Sequence, residues 1–201
     1  MLGRLRESFE PAKNLLASPL ARVGVHPLVI TMMGLLFCMV ASGLIGHRYA
    51  CWAPYLALAG ATTDLLDGPV ARLQGKASAF GNYAEAIVDR LVEISLLLGL
   101  APLYSQWVPY ALAASLFVSY CKPRVALVVE TDNRDWPGVG DHVDRMVCLL
   151  LAYFAHSWGW STVTTGCLGL LTLLATVGAG QRLFYAHSLI EEGKRSNSLR
   201  C

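Results

Sequence analysis

The chain has 201 residues, 55% of them hydrophobic and only 15% charged, with a formal net charge of +2. An average soluble domain carries roughly 25% charged residues, so this balance excludes an ordinary soluble domain and points to a membrane protein. So small a net charge, with no block of Lys and Arg, gives no basis for nucleic-acid binding. The six cysteines are scattered, with no pair spaced as CxxC, so neither a disulfide framework nor a zinc site is expected.

Residues 1–24 hold Arg4, Arg6, Lys13 and Arg22 without an unbroken apolar core. They read as an amphipathic helix on the membrane surface rather than a cleaved signal. Six segments then follow that are long enough to cross a bilayer, near 27–46, 51–74, 79–103, 108–131, 141–160 and 162–188. The expected fold is therefore all-α and integral to the membrane: six transmembrane helices behind an N-terminal surface helix. The layout is a juxtamembrane segment 1–24, a six-span domain 25–190 and a polar cytoplasmic tail 191–201, loosely ordered from Glu191. With six spans both termini share one side, and that side holds Arg72, Lys76, Lys122, Arg124, Arg134, Arg145 and Arg182, whereas Arg48 lies opposite. The excess of Lys and Arg places the termini in the cytoplasm.

Five of the 14 acidic residues fall inside the second and third segments: Asp64, Asp67, Glu85, Asp89 and Glu93. A carboxylate at the centre of a bilayer costs about 2.5–3.5 kcal/mol even on insertion scales, so a cluster of them needs a counter-charge. Helical spacing gathers them. Asp64, Asp67 and Ala71 share one face, as do Gly81, Glu85 and Asp89, and a short turn lets the two stripes face each other. Grouped carboxylates suit a hard divalent cation, Mg²⁺ or Mn²⁺. Gly68, Ala71 and Gly81 remove bulk beside the acids, Arg72 offers a forked cation for phosphate oxygens, and Pro69 is placed to kink the second segment. Acids, cation, small residues and arginine together describe a pyrophosphate site.

The spacing resembles the signature of the CDP-alcohol phosphatidyltransferases, Asp-x2-Asp-Gly-x2-Ala-Arg, eight residues, Gly-x3-Asp-x3-Asp. Here it reads Asp64-Leu-Leu-Asp67-Gly68-Pro-Val-Ala71-Arg72, eight residues, then Gly81-Asn-Tyr-Ala-Glu85-Ala-Ile-Val-Asp89. Seven of the eight defined positions match, and Glu85 stands where the family has Asp. The resemblance implies a transferase that moves a phosphatidyl-type group from a CDP-linked lipid to a small alcohol and releases CMP. It implies that Asp64, Asp67, Glu85 and Asp89 bind one or two Mg²⁺ or Mn²⁺ ions, and that Asp89 also acts as general base. It further implies that Asp64, Asp67, Gly68, Ala71, Arg72, Ser78 and Gly81 line the CDP site. A homodimer in a prokaryotic cell membrane, with its active site toward the cytoplasm, is expected by the same resemblance.

Lys122, Arg124, Arg145 and Arg182 admit two readings: the positive-inside bias, or a pocket for a phosphorylated acceptor. Ser119-Tyr120-Cys-Lys122-Pro-Arg124, Asp144-Arg145, Gln181-Arg182 and Asp89-Arg90 resemble the phosphatidylinositol-phosphate and archaetidylinositol-phosphate synthase branch, although Ala126 stands where that branch has an acid. Inositol phosphate is the lead acceptor, with glycerol phosphate or another alcohol open. Two readings of another class also stand. Intramembrane acids mark ion paths, which allows a divalent-cation transporter, but Arg72 and Arg90 beside the acids suit an anionic ligand better. A catalytically inactive binding homologue rests on Glu85 alone.

Overall fold

The computed structural model describes residues 13, 15–128, 136 and 138–198. Arg4, Arg6 and Arg134, the first half of the surface segment and the last residues of the tail lie outside them. The described residues form helices and turns, with no strand among them. In chain order the helices are α1 (15–23), α2 (Pro27–Leu44), α3 (Ala53–Leu73), α4 (Ala79–Leu100), α5 (Val108–Ala126), α6 (His142–Ser157) and α7 (Ser161–Ser198), with a single 3₁₀ turn at Ala50–Trp52. The chain divides into two compact units, Met1–Leu100 and Ala101–Cys201.

In the first unit α2 packs against both α3 and α4. It starts at Pro27, whose missing N–H costs nothing at a first helical position, and the His26 ring accepts the Leu28 N–H at 3.3 Å. α2 and α3 approach at Gly34 and Gly60. A methyl on Gly60 would meet the Gly34 carbonyl oxygen at 2.8 Å, and one on Gly34 the Gly60 carbonyl oxygen at 3.2 Å. Small residues at such a crossing let helices pack closely without help from the hydrophobic effect. α1 lays Ala17 against Ile30 and Val70, while Leu15, Leu16 and Val23 stay exposed. Gln74 ties the turn after α1 to the end of α3 by donating to the Val25 carbonyl at 2.9 Å.

The turn from α3 to α4 sets the two acidic stripes. Gly75 takes a left-handed φ of +64°, Lys76 N–H reaches the Ala71 carbonyl at 2.9 Å, and Gly75 N–H reaches Arg72 at 3.1 Å. That is the Schellman pattern, which stops a helix sharply. Ser78 then caps α4 by accepting the Gly81 N–H at 3.0 Å. Pro69 is accommodated inside α3, which runs unbroken to Leu73.

In the second unit α5 and α6 pack against α7. Val118 and Cys121 of α5 meet Ala175 and Ala179 of α7 in a buried cluster. Tyr104 and His156 share a hydrogen bond of 2.9 Å, and Thr164 of α7 reaches the Ala152 carbonyl of α6 at 3.4 Å.

The helices follow the sequence-based segments to within a few residues, with two differences. α5 ends at Ala126, short of the expected 131. α7 continues to Ser198, through the segment read as a loose tail. Glu, Lys and Arg there are good helix formers whatever their polarity. α2 and residues Ser161–Glu191 of α7 are long and apolar enough to cross a bilayer. Together with the composition they mark a membrane protein.

Candidate active site

The first unit gathers the predicted acids. Asp64 and Asp67 lie one turn apart on α3, and Glu85 and Asp89 one turn apart on α4. Carboxylate oxygens of Asp64 and Asp89 lie within 4.8 Å of each other across the two helices. Asp67 interacts electrostatically with Asp64, and Asp89 with both Asp67 and Glu85, so the four belong to one field. Carboxylates this close are stable only with a proton or a cation between them. Their carboxylate oxygens are hard donors, which fit Mg²⁺ or Mn²⁺.

Asp67 is held from two sides. It is 3% exposed, its Oδ2 accepts the Thr31 hydroxyl at 2.6 Å, and its Oδ1 lies 2.6 Å from the Gly68 N–H. Glu93, one turn beyond Asp89, is 2% exposed and paired with Arg90 at 3.4 Å. Arg72 folds back along α3, its Nη1 3.6 Å from where a methyl on Gly68 would stand. Gly68 thus leaves open the space between the guanidinium and the helix backbone, and a phosphate oxygen could approach both. Ser78 and Gly81 are joined through the α4 cap, so their proximity follows from a local turn. Ala71 is half-buried on the same stripe of α3 as the two aspartates.

The second unit holds the predicted basic set. Arg145 is 1% exposed; its Nη1 donates to the Gly140 carbonyl at 2.5 Å and its Nη2 to Ser119 Oγ at 3.2 Å. Arg182 is 7% exposed; its Nη1 donates to the Val118 carbonyl at 2.6 Å and its Nη2 to Asp141 at 2.5 Å. Both arginines therefore span from the middle of α5 to the segment 138–141. That segment lies against α7. Gly140, at φ +76°, would drive a methyl into the Leu174 carbonyl, a methyl on Gly178 would overlap the Val139 carbonyl oxygen, and Val139 N–H donates to Gln181 at 3.0 Å. Lys122 is half-buried and interacts electrostatically with Arg182 and Asp141, so the structure groups it with them. Arg124 is exposed in the last turn of α5.

Sequence reasoning missed Thr31, which sits 36 residues before its partner Asp67. It also missed Gly140 and Gly178, whose role is to let a loop touch a helix.

These features agree with what the chain resembles. The sequence model of the CDP-alcohol phosphatidyltransferase family matches residues 24–178. An archaetidylinositol phosphate synthase of Pyrococcus horikoshii is 28% identical over 196 residues, covering 96% of this chain and all of that one. A phosphatidylinositol phosphate synthase of Mycobacteroides abscessus is 26% identical, covering 89% of this chain and 84% of its own length. Among solved structures, the phosphatidylinositol phosphate synthase of Mycobacterium tuberculosis with CDP-diacylglycerol bound superposes with a TM-score of 0.71 at 22% identity, over 87% of this chain and 92% of that one. The same protein in complex with manganese and citrate gives a TM-score of 0.75 at 22% identity, over 87% and 88%. The family match spans most of the chain and contains the whole acidic motif, and the chain is an enzyme belonging to the CDP-alcohol phosphatidyltransferase family.

Proposed function

We propose that this enzyme transfers the phosphatidyl-type group of a CDP-linked lipid to inositol phosphate and releases CMP. The observation that carries the reading is the acid cluster of α3 and α4 at the family spacing, with Arg72 beside it. The acceptor follows from the relatives' names and from Lys122, Arg145 and Arg182, grouped in the second unit, a set of donors suited to a phosphate monoester.

The cofactor is a divalent cation, Mg²⁺ or Mn²⁺, held by Asp64, Asp67, Glu85 and Asp89. When bound, it neutralises the pyrophosphate and the departing CMP. Arg72 adds a bidentate grip on phosphate oxygens over Gly68, and Ala71, Ser78 and Gly81 keep the CDP site free of bulk. Asp89 takes the proton from the acceptor hydroxyl as that oxygen bonds to the lipid-bearing phosphorus. The bond from this phosphorus to the bridging oxygen breaks, and CMP leaves with the electron pair. Lys122, Arg124, Arg145 and Arg182 hold the acceptor's phosphate. Glu85 keeps the carboxylate at the end of a longer stem and acts as a ligand where the family has Asp.

The enzyme crosses the membrane six times, within residues 25–190, with α1 on the surface. Both termini and the site face the cytoplasm of a prokaryotic cell, and the enzyme works as a homodimer. The exposed apolar faces support this arrangement, among them Val29, Met32, Met33 and Leu36 of α2. The Arg72 and Lys122 ends of α3 and α5 support it as well.

The test is CMP release by the purified protein in detergent, with CDP-diacylglycerol or its archaeal ether counterpart, Mn²⁺ or Mg²⁺, and a panel of acceptors. Inositol phosphate should support turnover above glycerol phosphate, serine or free inositol, and Asp89→Asn should remove at least about 10²-fold of it. Turnover with glycerol phosphate alone would overturn the acceptor. Vesicle metal flux without CMP release would overturn the reaction.

A further inference from the structure

α2 supplies no residue to the acidic motif, yet its Thr31 reaches one of the acids. Thr31 sits in its first turns, 7% exposed, beside Ile30, which packs against Ala17 and Val70. Its hydroxyl has two acceptors in range: Asp67 Oδ2 at 2.6 Å and the Pro27 carbonyl at 3.2 Å. A helical threonine ordinarily bonds the carbonyl four residues back. Here the single proton goes to the carboxylate, because 2.6 Å is the length of a charge-assisted O–H···O⁻ bond and 3.2 Å is long for a neutral one.

The Gly68 N–H engages the other oxygen, Oδ1, at 2.6 Å. Rotation of the carboxylate about its last torsion would break both bonds, so its plane is fixed relative to α3. An ionised carboxylate has about four lone-pair sites. The Thr31 and Gly68 donors take set directions and leave others open for a cation. Both donors are neutral, so they orient the charge without cancelling it. We infer that Thr31 is a positioning residue: through its hydroxyl, α2 sets the direction in which Asp67 presents itself to the divalent cation. The inference rests on the proposed reading that Asp67 is a metal ligand.

The experiment measures Mn²⁺ binding directly, through loss of the free-ion paramagnetic resonance signal, with the full chain in detergent. Thr31→Val keeps the shape and branching and removes the proton. It should raise the Mn²⁺ concentration at half-saturation about tenfold, as expected when the partner that orients a ligand is lost. Thr31→Ser should bind as the parent does. At saturating Mn²⁺ the KM of Thr31→Val for the CDP-lipid should return to the parental value, which a merely loosened fold would not allow. A folded Thr31→Val with unchanged Mn²⁺ half-saturation overturns the inference and leaves the proposed function standing. Absence of Mn²⁺ binding by the parent overturns both. Should Thr31→Val fail to fold, Thr31→Cys reads the same shift, because a thiol is a poor donor; parental half-saturation there overturns the inference equally.

Discussion

Two glycines of α7, two residues apart, should respond to the same substitution with opposite signs. A methyl on Gly180 would meet nothing within 4 Å. Gly180→Ala therefore gains only what alanine gains over glycine inside a helix, about 0.5–1 kcal/mol. A methyl on Gly178 would overlap the Val139 carbonyl oxygen and come to 3.1 Å from its carbon. The same propensity gain then meets a loop that must lift. Lifting it breaks the Val139 N–H bond to Gln181 and the Gly140 carbonyl bond to Arg145. The first is worth about 1 kcal/mol, and the second, to a charged donor, about 1.5–3 kcal/mol. The Arg182–Asp141 pair adds little, because the Asp141 side chain is 64% exposed. The net loss for Gly178→Ala is about 2–3 kcal/mol, which lowers the apparent Tm by about 5–10 °C for a chain of this size. A thiol-reactive fluorogenic dye is a direct assay, since Cys121 and Cys148 are buried in the folded second unit. The KM for inositol phosphate should rise with Gly178→Ala, because the released segment carries the anchors of both arginines. Melting curves of Gly178→Ala and Gly180→Ala that coincide would refute the reasoning.

Removal of divalent cations by EDTA should abolish CMP release, and Mn²⁺ or Mg²⁺ should restore it while Ca²⁺, larger and with looser geometry, restores less; full turnover in EDTA would dismiss the metal site. Arg145→Lys keeps the charge, but a single ammonium cannot reach both Gly140 O and Ser119 Oγ as the fork does. It should raise the KM for inositol phosphate about tenfold, a loss of about 1.4 kcal/mol, and leave the KM for the CDP-lipid unchanged; equal rises in both would place Arg145 outside the acceptor site.

The acidic cluster was legible before any coordinates because its logic is local. Asp64 with Asp67 and Glu85 with Asp89 share faces by helical period alone. The Gly75 turn that brings α3 round to α4 is short enough to leave the stripes opposed. Charged residues in apolar surroundings also announce themselves by their cost. Thr31 carried no such signal. A threonine in an apolar helix already has an acceptor one turn back, so nothing in the sequence demands a distant partner. Gly178 was hidden for the opposite reason, since glycine is common in apolar helices and helix packing is its ordinary explanation. Arg145 and Arg182 were visible as cations, but their anchors were not, because a backbone carbonyl leaves no trace in composition. The end of α7 departs from the expected loose tail because a polar stretch can still be helical, and Glu, Lys and Arg favour helix.

One feature recurs at the best-held charged residues. Asp67 is oriented by a hydroxyl and a backbone N–H, Arg182 by a helix carbonyl, and Arg145 by a carbonyl and a hydroxyl. A buried charge must be compensated, and the usual compensation is an opposite charge, which also removes it from further use. Neutral donors and acceptors do something different. They recover part of the desolvation cost through charge-assisted bonds and fix direction, while the net charge stays available to a ligand. Asp141, an ionic partner of Arg182, stands largely in the open, where its field is weakened. Asp67 is thus braced within the first unit by two neutral donors, and Arg145 and Arg182 are braced within the second by neutral acceptors, with the exposed Asp141 beside Arg182. That is the arrangement expected of sites that bind ions, a cation at the acids and a phosphate at the arginines.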